Sequence, residues 1–335
     1  MACIGSAVGM GNIWRFPIMV SIWGGMTFLI PYFICVVLVS QTGVIGEMAL
    51  GRSAAAGPMG AFGMATQKKF GKRAIGEMIG LIPVLGSLAL AIGYSCVVGW
   101  IIKYFFLSYS GHLSSLGQDM DQIGGLFGKT AVAMGNNMWL VLALILNFAI
   151  MALGVAGGIE KANKFMMPAL FFMFVGLYIA TLPGAISGYH YIFTIDPKRL
   201  ADPLLWIFAF GQAFFSLSVA GNGTVIYGSY LSKEENLSRS VLIASAADTV
   251  VALLAGFVIF PALFSFGVTP TAGPVLIFIT LPQVFAQMPL GAVWSVFFYI
   301  LLLFASLTSA ISVMELFITC AVEKLNISRT KASIG

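Results

Sequence analysis

The chain has 335 residues, of which 59% are hydrophobic and 9% charged, with a formal net charge of +5. A soluble domain carries about 25% charged residues, so this chain cannot coat a water-facing surface and lipid must be its solvent. The basic residues stand between apolar runs instead of forming a patch or arm, which argues against nucleic acid and fits membrane orientation. Cys3, Cys35, Cys96 and Cys320 fall in apolar stretches with neither pairing nor metal spacing, and they read as core residues.

No basic segment precedes the first apolar run, so no cleavable signal peptide is expected. The abrupt apolar start at Met1-Ala2-Cys3 suggests a missing N-terminal segment. At about 20 apolar residues per crossing, eight spans are expected, at roughly 2–22, 26–51, 75–107, 138–157, 163–184, 203–231, 239–266 and 290–322. The runs are continuous, where barrel strands would alternate over about ten residues, so the fold class is all-α, a polytopic transmembrane helix bundle. Twelve of the 17 Lys and Arg residues fall in the connections after spans two, four, six and eight. The positive-inside bias therefore places the start of span one in the cytoplasm.

Span one reads Gly5-Ser-Ala-Val-Gly-Met-Gly-Asn-Ile-Trp-Arg-Phe-Pro, and span six reads Phe214-Phe-Ser-Leu-Ser-Val-Ala-Gly-Asn-Gly-Thr. Glycine costs about 1 kcal/mol per helical position relative to alanine, so both clusters point to a local break. Unwound backbone in a membrane is tolerated only where it is buried or lines a cavity. Two broken helices five spans apart are the pattern of an inverted-repeat (5+5) transporter with its site where the breaks meet. From the glycines alone, close helix packing through Gly5-x-x-x-Gly9 competes evenly with a site. Asn12, Ser216, Ser218 and Asn222 favour the site. Glu47, an acid within an apolar span, needs a partner or a proton; bracing the unwound part of span six and proton relay are its two readings.

These stretches resemble the neurotransmitter:sodium symporter family, in its bacterial amino-acid transporter branch. The likeness continues in Gly46-Glu-Met-Ala-Leu-Gly-Arg, Gly211-Gln-Ala-Phe-Phe-Ser-Leu-Ser, Tyr227-Gly-Ser-Tyr, Phe278-Ile-Thr-Leu-Pro-Gln-Val-Phe and Phe304-Ala-Ser-Leu-Thr-Ser, covering essentially the whole chain. It implies one transporter domain, with a first repeat over 1–184 and an incomplete second repeat over 203–335, the family's last helices being absent after helix 8.

The resemblance also implies two sodium sites. One would use the Ala7 carbonyl, Asn12, Ser216 and Asp248; the other, the Gly5 and Val8 carbonyls with Ala305, Thr308 and Ser309. Such all-oxygen sets suit a small hard cation, although Thr308 and Ser309 could instead bond back to their own helix. Tyr94 would bind a substrate carboxylate and Phe215 would lie over it, with Ala7, Gly9, Ser216, Ser218 and Gly221 completing the pocket. Arg15 would gate one end, and Tyr230 with Glu323 the cytoplasmic end. Amine-transporting relatives carry an Asp where this chain has Gly9, so an amino acid that brings its own carboxylate is the expected substrate. The Gly221 position leaves room for a large or aromatic side chain. Chloride-dependent relatives hold an anion partly through a Ser at the position of Ala252. With Asp248 supplying negative charge, no chloride requirement is expected; a protonated Asp248 standing in for Asn is the competing reading.

The expected function is sodium-coupled symport of a neutral amino acid across the plasma membrane by alternating access. The alternative is a non-transporting truncated homologue or an amino-acid-binding membrane protein. An intramembrane enzyme is disfavoured because neither H-E-x-x-H nor G-x-S-x-G occurs and His112 and His190 fall in expected external loops. A sensor would need a soluble output domain, and none is encoded. Substrate, sodium ions and the bilayer are the expected partners, with a homodimer admitted.

Overall fold

The computed structural model describes residues 7–182, 186–265, 267 and 273–334, and among these all regular secondary structure is helical. A chain this apolar meets lipid with a backbone that must satisfy its own hydrogen bonds, and helices do so within one segment. Among the described residues five stretches are long and apolar enough to cross a membrane: Gly25–Ala54, Arg73–Tyr109, Gly157–Thr181, Leu237–Ser265 and Gly291–Leu325.

The first span is divided into α1 (Met10–Ile13) and α2 (Arg15–Trp23), with Gly9 extended ahead of α1. The second runs as α3 (Gly25–Val39), a π-helical turn Ser40–Val44, and α4 (Ile45–Ala54). Then α5 (Pro58–Phe70) opens on a proline, tolerated where the first N–H has no intrahelical partner, and closes on Gly71 in the left-handed region at φ 69°. The long α6 (Arg73–Tyr109) follows, with α7 (Met120–Ala131), α8 (Asn137–Ala152) and α9 (Glu160–Thr181) after it. The connection expected as an external loop around His190 is helical over α10 (Ile186–Phe193), which packs on the seventh span.

The sixth span begins with α11 (Pro203–Ser216), where the Asp202 carboxylate accepts from Leu204 N at 2.9 Å and caps the helix. It stops at Ser216 and resumes as α12 (Gly223–Tyr230). Between them Ser218, Ala220 and Asn222 adopt left-handed φ values of 55°, 66° and 57°. Three such non-glycine residues in five are costly, of order 1 kcal/mol or more each, and need outside support. The chain continues through α13 (Leu237–Ser265), α14 (Leu281–Gln287), α15 (Gly291–Leu325) and α16 (Arg329–Ile334).

Both halves of the broken sixth span lie on the second, α11 against α3 and α12 against α4, while α6 packs on α5, α8 and α15. One buried apolar cluster includes Val98, Phe174, Ile259 and Leu302; another includes Phe16, Phe28, Tyr32 and Phe260. Cys35 and Cys320 are buried within the bundle and Cys96 is half-buried. Because lipid tails are as apolar as these cores, closeness of packing holds the helices together, and small residues permit it. The α4–α12 crossing shows the effect: a Cβ on Gly51 would lie 1.8 Å from the Val225 carbonyl oxygen, and one on Gly228 would lie 2.3 Å from that of Met48.

Gly51→Val and Gly228→Val are therefore expected to destabilise the bundle by about 1–3 kcal/mol each through overpacking. The readout is the midpoint of thermal unfolding in detergent. Gly93→Ala, inside α6 with nothing within 4 Å of the added Cβ, should not lower that midpoint and should raise it slightly through helix propensity.

Candidate functional site

The two breaks converge on one carboxylate. Asp248, fully buried on α13, accepts from Asn12 Nδ2 through Oδ1 at 2.7 Å and from Ser216 Oγ through Oδ2 at 2.6 Å. Asn12 Nδ2 also reaches the Asp248 carbonyl at 3.0 Å. Asn12 lies in the single turn of α1, Ser216 closes α11, and α13 carries the carboxylate that meets both, so glycine-rich and polar sequence at the breaks frees these groups to meet. Every side chain donating to Asp248 is neutral, and the ion pairs among the described residues all lie elsewhere. A lone carboxylate in low dielectric is expensive, so Asp248 needs either a cation or a proton. Asn12 is turned away from the orientation its expected role requires: Oδ1 accepts from Gly9 N at 2.9 Å while the NH2 faces Asp248. Offering oxygen to a cation beside Asp248 would require the amide to rotate.

A second oxygen-rich cluster joins α15 to the first break. Thr308 Oγ1 donates to the Ala305 carbonyl at 3.0 Å and lies 3.3 Å from the Val8 carbonyl. Thr308 thus bonds back to its own helix and also reaches across to the first break. Ser309 is adjacent, with its Oγ where a Gly9 Cβ would come within 1.7 Å. Val8, Ala305, Thr308 and Ser309 are brought together with oxygen donors only, as a hard cation prefers. Gly5, the remaining expected member, lies outside the described residues.

Between the clusters is a cavity of about 430 Å³. Ala7, Gly9, Tyr94, Phe215, Ser216, Ser218 and Gly221, the whole of the expected substrate set, line it. Its polar end lies at the helix breaks, and an apolar limb runs along Ile82, Pro83 and Leu90 of α6 and Val313 and Leu316 of α15. The Tyr94 hydroxyl engages the Ser309 side chain and the Met10 backbone. A Cβ on Gly11 would lie 2.6 Å from the Phe215 ring, so glycine there lets the ring close on the first break. Arg15 sits over that ring, its guanidinium carbon 4.6 Å from the centroid, a cation–π contact.

Glu47 supports the strained break in the sixth span. Its Oε1 accepts from Ala220 N at 2.8 Å, and its Oε2 accepts from Thr224 Oγ1. The bracing reading of this acid is the one its contacts match.

The two residues expected to gate the other end are not joined to each other. Tyr230 Oη donates to Glu315 Oε1 at 2.5 Å and shares a hydrogen with Thr319 Oγ1 at 2.9 Å. Glu323 caps α5 instead, with Oε1 accepting from Gly57 N at 2.7 Å. Glu315 is fully buried and grips Arg329 bidentately, with the Oε1 contact at 2.8 Å. Sequence reasoning passed over this pair, although Glu315 carries the same signal as Glu47, an acid inside an apolar span. Arg329 could not be matched to it by pattern, because it arrives from α16 after a left-handed turn at Asn326 (φ 52°).

Over residues 1–117 and 123–334 the chain matches the Sodium:neurotransmitter symporter family. It is 35% identical to an uncharacterized sodium-dependent transporter of Haemophilus influenzae, over 100% of this chain and 74% of that one. Against the sodium-dependent transporter YhdH of Bacillus subtilis it is 36% identical, over 95% of this chain and 69% of the relative. Among solved structures it superimposes on MhsT in complex with L-phenylalanine with a TM-score of 0.88 at 35% identity, covering 99% of this chain and 75% of MhsT. The protein is a helical multi-pass membrane protein of the transporter class. It belongs to the sodium:neurotransmitter symporter family, and with that family it shares sodium-coupled transport.

Removing the Glu315 carboxylate leaves the Arg329 charge without its partner, and breaking one side of a buried pair costs about 3 kcal/mol. Glu315→Leu should therefore lower the unfolding midpoint in detergent markedly. Glu315→Leu combined with Arg329→Met should recover most of the loss.

Proposed function

We propose that this chain carries out sodium-coupled symport of a neutral α-amino acid with a large or aromatic side chain. The observation that carries the reading is the cavity held between two broken helices, with an oxygen-rich cluster on either side. In this reading the first sodium takes the Ala7 carbonyl, Asn12, Ser216 and Asp248. The second takes the Val8 and Ala305 carbonyls with Thr308, Ser309 and Gly5. Tyr94 binds the substrate carboxylate, which also faces the first sodium, so each partner raises the other's affinity by the same factor. Gly9 leaves space where an acidic side chain would otherwise meet an amine. A Cβ on Gly221 would meet only the Ser218 carbonyl oxygen, at 3.9 Å, and that room admits an aromatic ring, in keeping with the L-phenylalanine bound to MhsT.

Alternating access follows if the first repeat, 1–184, and the second, from 203 onward, rock about this fixed site. Arg15 with Phe215 closes one end; Tyr230 and Glu323 lie toward the other, which the positive-inside bias assigns to the cytoplasm of a plasma-membrane protein.

Binding of L-phenylalanine to the complete protein is expected in sodium and lost in potassium. Thr308→Ala with Ser309→Ala should weaken sodium binding at least tenfold, and phenethylamine, lacking the carboxylate, should not compete. Full affinity in sodium-free buffer, or equal binding of the amine, would overturn the reading.

Asp248 also bears on anion dependence. With a carboxylate beside the first sodium and Ala252, which offers no donor, one turn on, negative charge is supplied by the chain itself. Sodium-driven uptake by wild type should be unchanged when gluconate replaces chloride. Asp248→Asn with Ala252→Ser should acquire a chloride dependence; a wild type that requires chloride ends the proposal.

A further inference from the structure

We infer that the α5–α6 hairpin holds an anionic phospholipid headgroup. Lys68, Lys69, Lys72 and Arg73 fall within six residues, and all four are exposed. Gly71, left-handed at φ 69°, ends α5 and turns the chain into α6 within two residues, so the cations are bunched at one corner and not strung along a helix. Among the described ion pairs, Arg73 is joined to Glu77 at 2.8 Å, and Lys324 of α15 reaches the same Glu77 oxygen at 2.5 Å. One carboxylate therefore serves two cations, and Lys68, Lys69 and Lys72 have no acidic partner among the described ion pairs.

The depth of this corner follows from its neighbours. Exposed apolar side chains begin two residues beyond Arg73 and continue down α6, with Ile75 45%, Met78 72%, Ile79 46% and Ile82 71% accessible. Such a face belongs in hydrocarbon, so its first residue marks the edge of the bilayer core and the four cations stand at headgroup level. Phe70, 61% exposed beside Lys69, puts one more apolar side chain at the edge of that face. A cluster of four or more Lys and Arg next to a membrane helix recognises anionic lipid electrostatically, and the lysine stems can lie along acyl chains while their ammonium groups meet the phosphate. The site is built for a phosphodiester attached to a lipid, since the apolar face that continues from it would have no use for a free anion. It rests only on membrane insertion, independently of what the cavity binds.

The test is native mass spectrometry of the complete purified protein with equimolar phosphatidylglycerol and phosphatidylcholine. Wild type should retain phosphatidylglycerol at least tenfold over phosphatidylcholine. K68Q/K69Q/K72Q should lose that preference, because each charge near the surface contributes about fivefold. K68R/K69R/K72R should keep it. The wild type supplies a further arm: raising salt to about 0.5 M, where charges are screened within a few ångströms, should shrink the preference. A triple Gln variant that keeps the wild-type preference, a wild type with none, or displacement of phosphatidylglycerol by millimolar inorganic phosphate would each overturn the inference.

Discussion

The structure depends on the Asp248 carboxylate more than on any other group. Breaking a membrane helix strands backbone and side-chain polar groups where no water can satisfy them, and each unsatisfied group costs several kcal/mol. Here α1 and α11 end their regular hydrogen bonding within reach of the same two oxygens, and Asn12 and Ser216 are both satisfied by them. One residue on an unbroken helix thereby fixes the separation and relative orientation of two broken ones. Glu47 does the corresponding work on the far side of the sixth span, tying Ala220 N and Thr224 to α4. Each acid is costly alone and becomes tolerable through the orphaned donors it collects, so the breaks and the buried acids stabilise one another.

Glycine shows why sequence alone left packing and site evenly matched. Gly51 and Gly228 are pure packing residues, since a side chain on either would strike the backbone of the opposing helix. Gly9 does two things at once: it lines the cavity, and it lets Ser309 approach so closely that any Cβ would collide. At that position close helix contact and cavity lining coincide. A cavity bounded by broken helices needs close contact at its rim in order to remain closed to lipid.

What was legible, and what was not, follows from the range over which each feature is encoded. The all-helical bundle and the breaks in spans one and six are local, written in long apolar runs and in glycine with small polar residues, and the chain reads them out where they stand. The lining of the cavity followed from the family resemblance carried onto those same breaks. Contacts between distant segments were hidden. Nothing near Tyr230 announces that its partner is Glu315, and nothing near Glu323 announces that it caps α5. The π-helical turns at Ser40–Val44 and Leu276–Thr280 were equally silent, since a π turn differs from α by one residue of register and leaves hydrophobic periodicity almost unchanged.

The contacts around α12 differ in kind from those around α5 and α6, and the difference bears on which elements can part. α15 is held to α6 by the Lys324–Glu77 ion pair and to α5 by a carboxylate on a helix N-terminus, where charge meets charge or dipole. It meets α12 through hydroxyls: Tyr227 with Ser312 at 2.8 Å, and Tyr230 with Glu315 and Thr319. Separating Tyr230 from Glu315 would not strand a charge, because Arg329 keeps both carboxylate oxygens. The desolvation cost that makes a buried ion pair hard to break is confined to a pair that stays together. The sixth span's second half is thus attached to α15 by hydrogen bonds and by the apolar contact of Ile226 with Leu316 and Cys320, and no ion pair among the described residues has to break for the two to part.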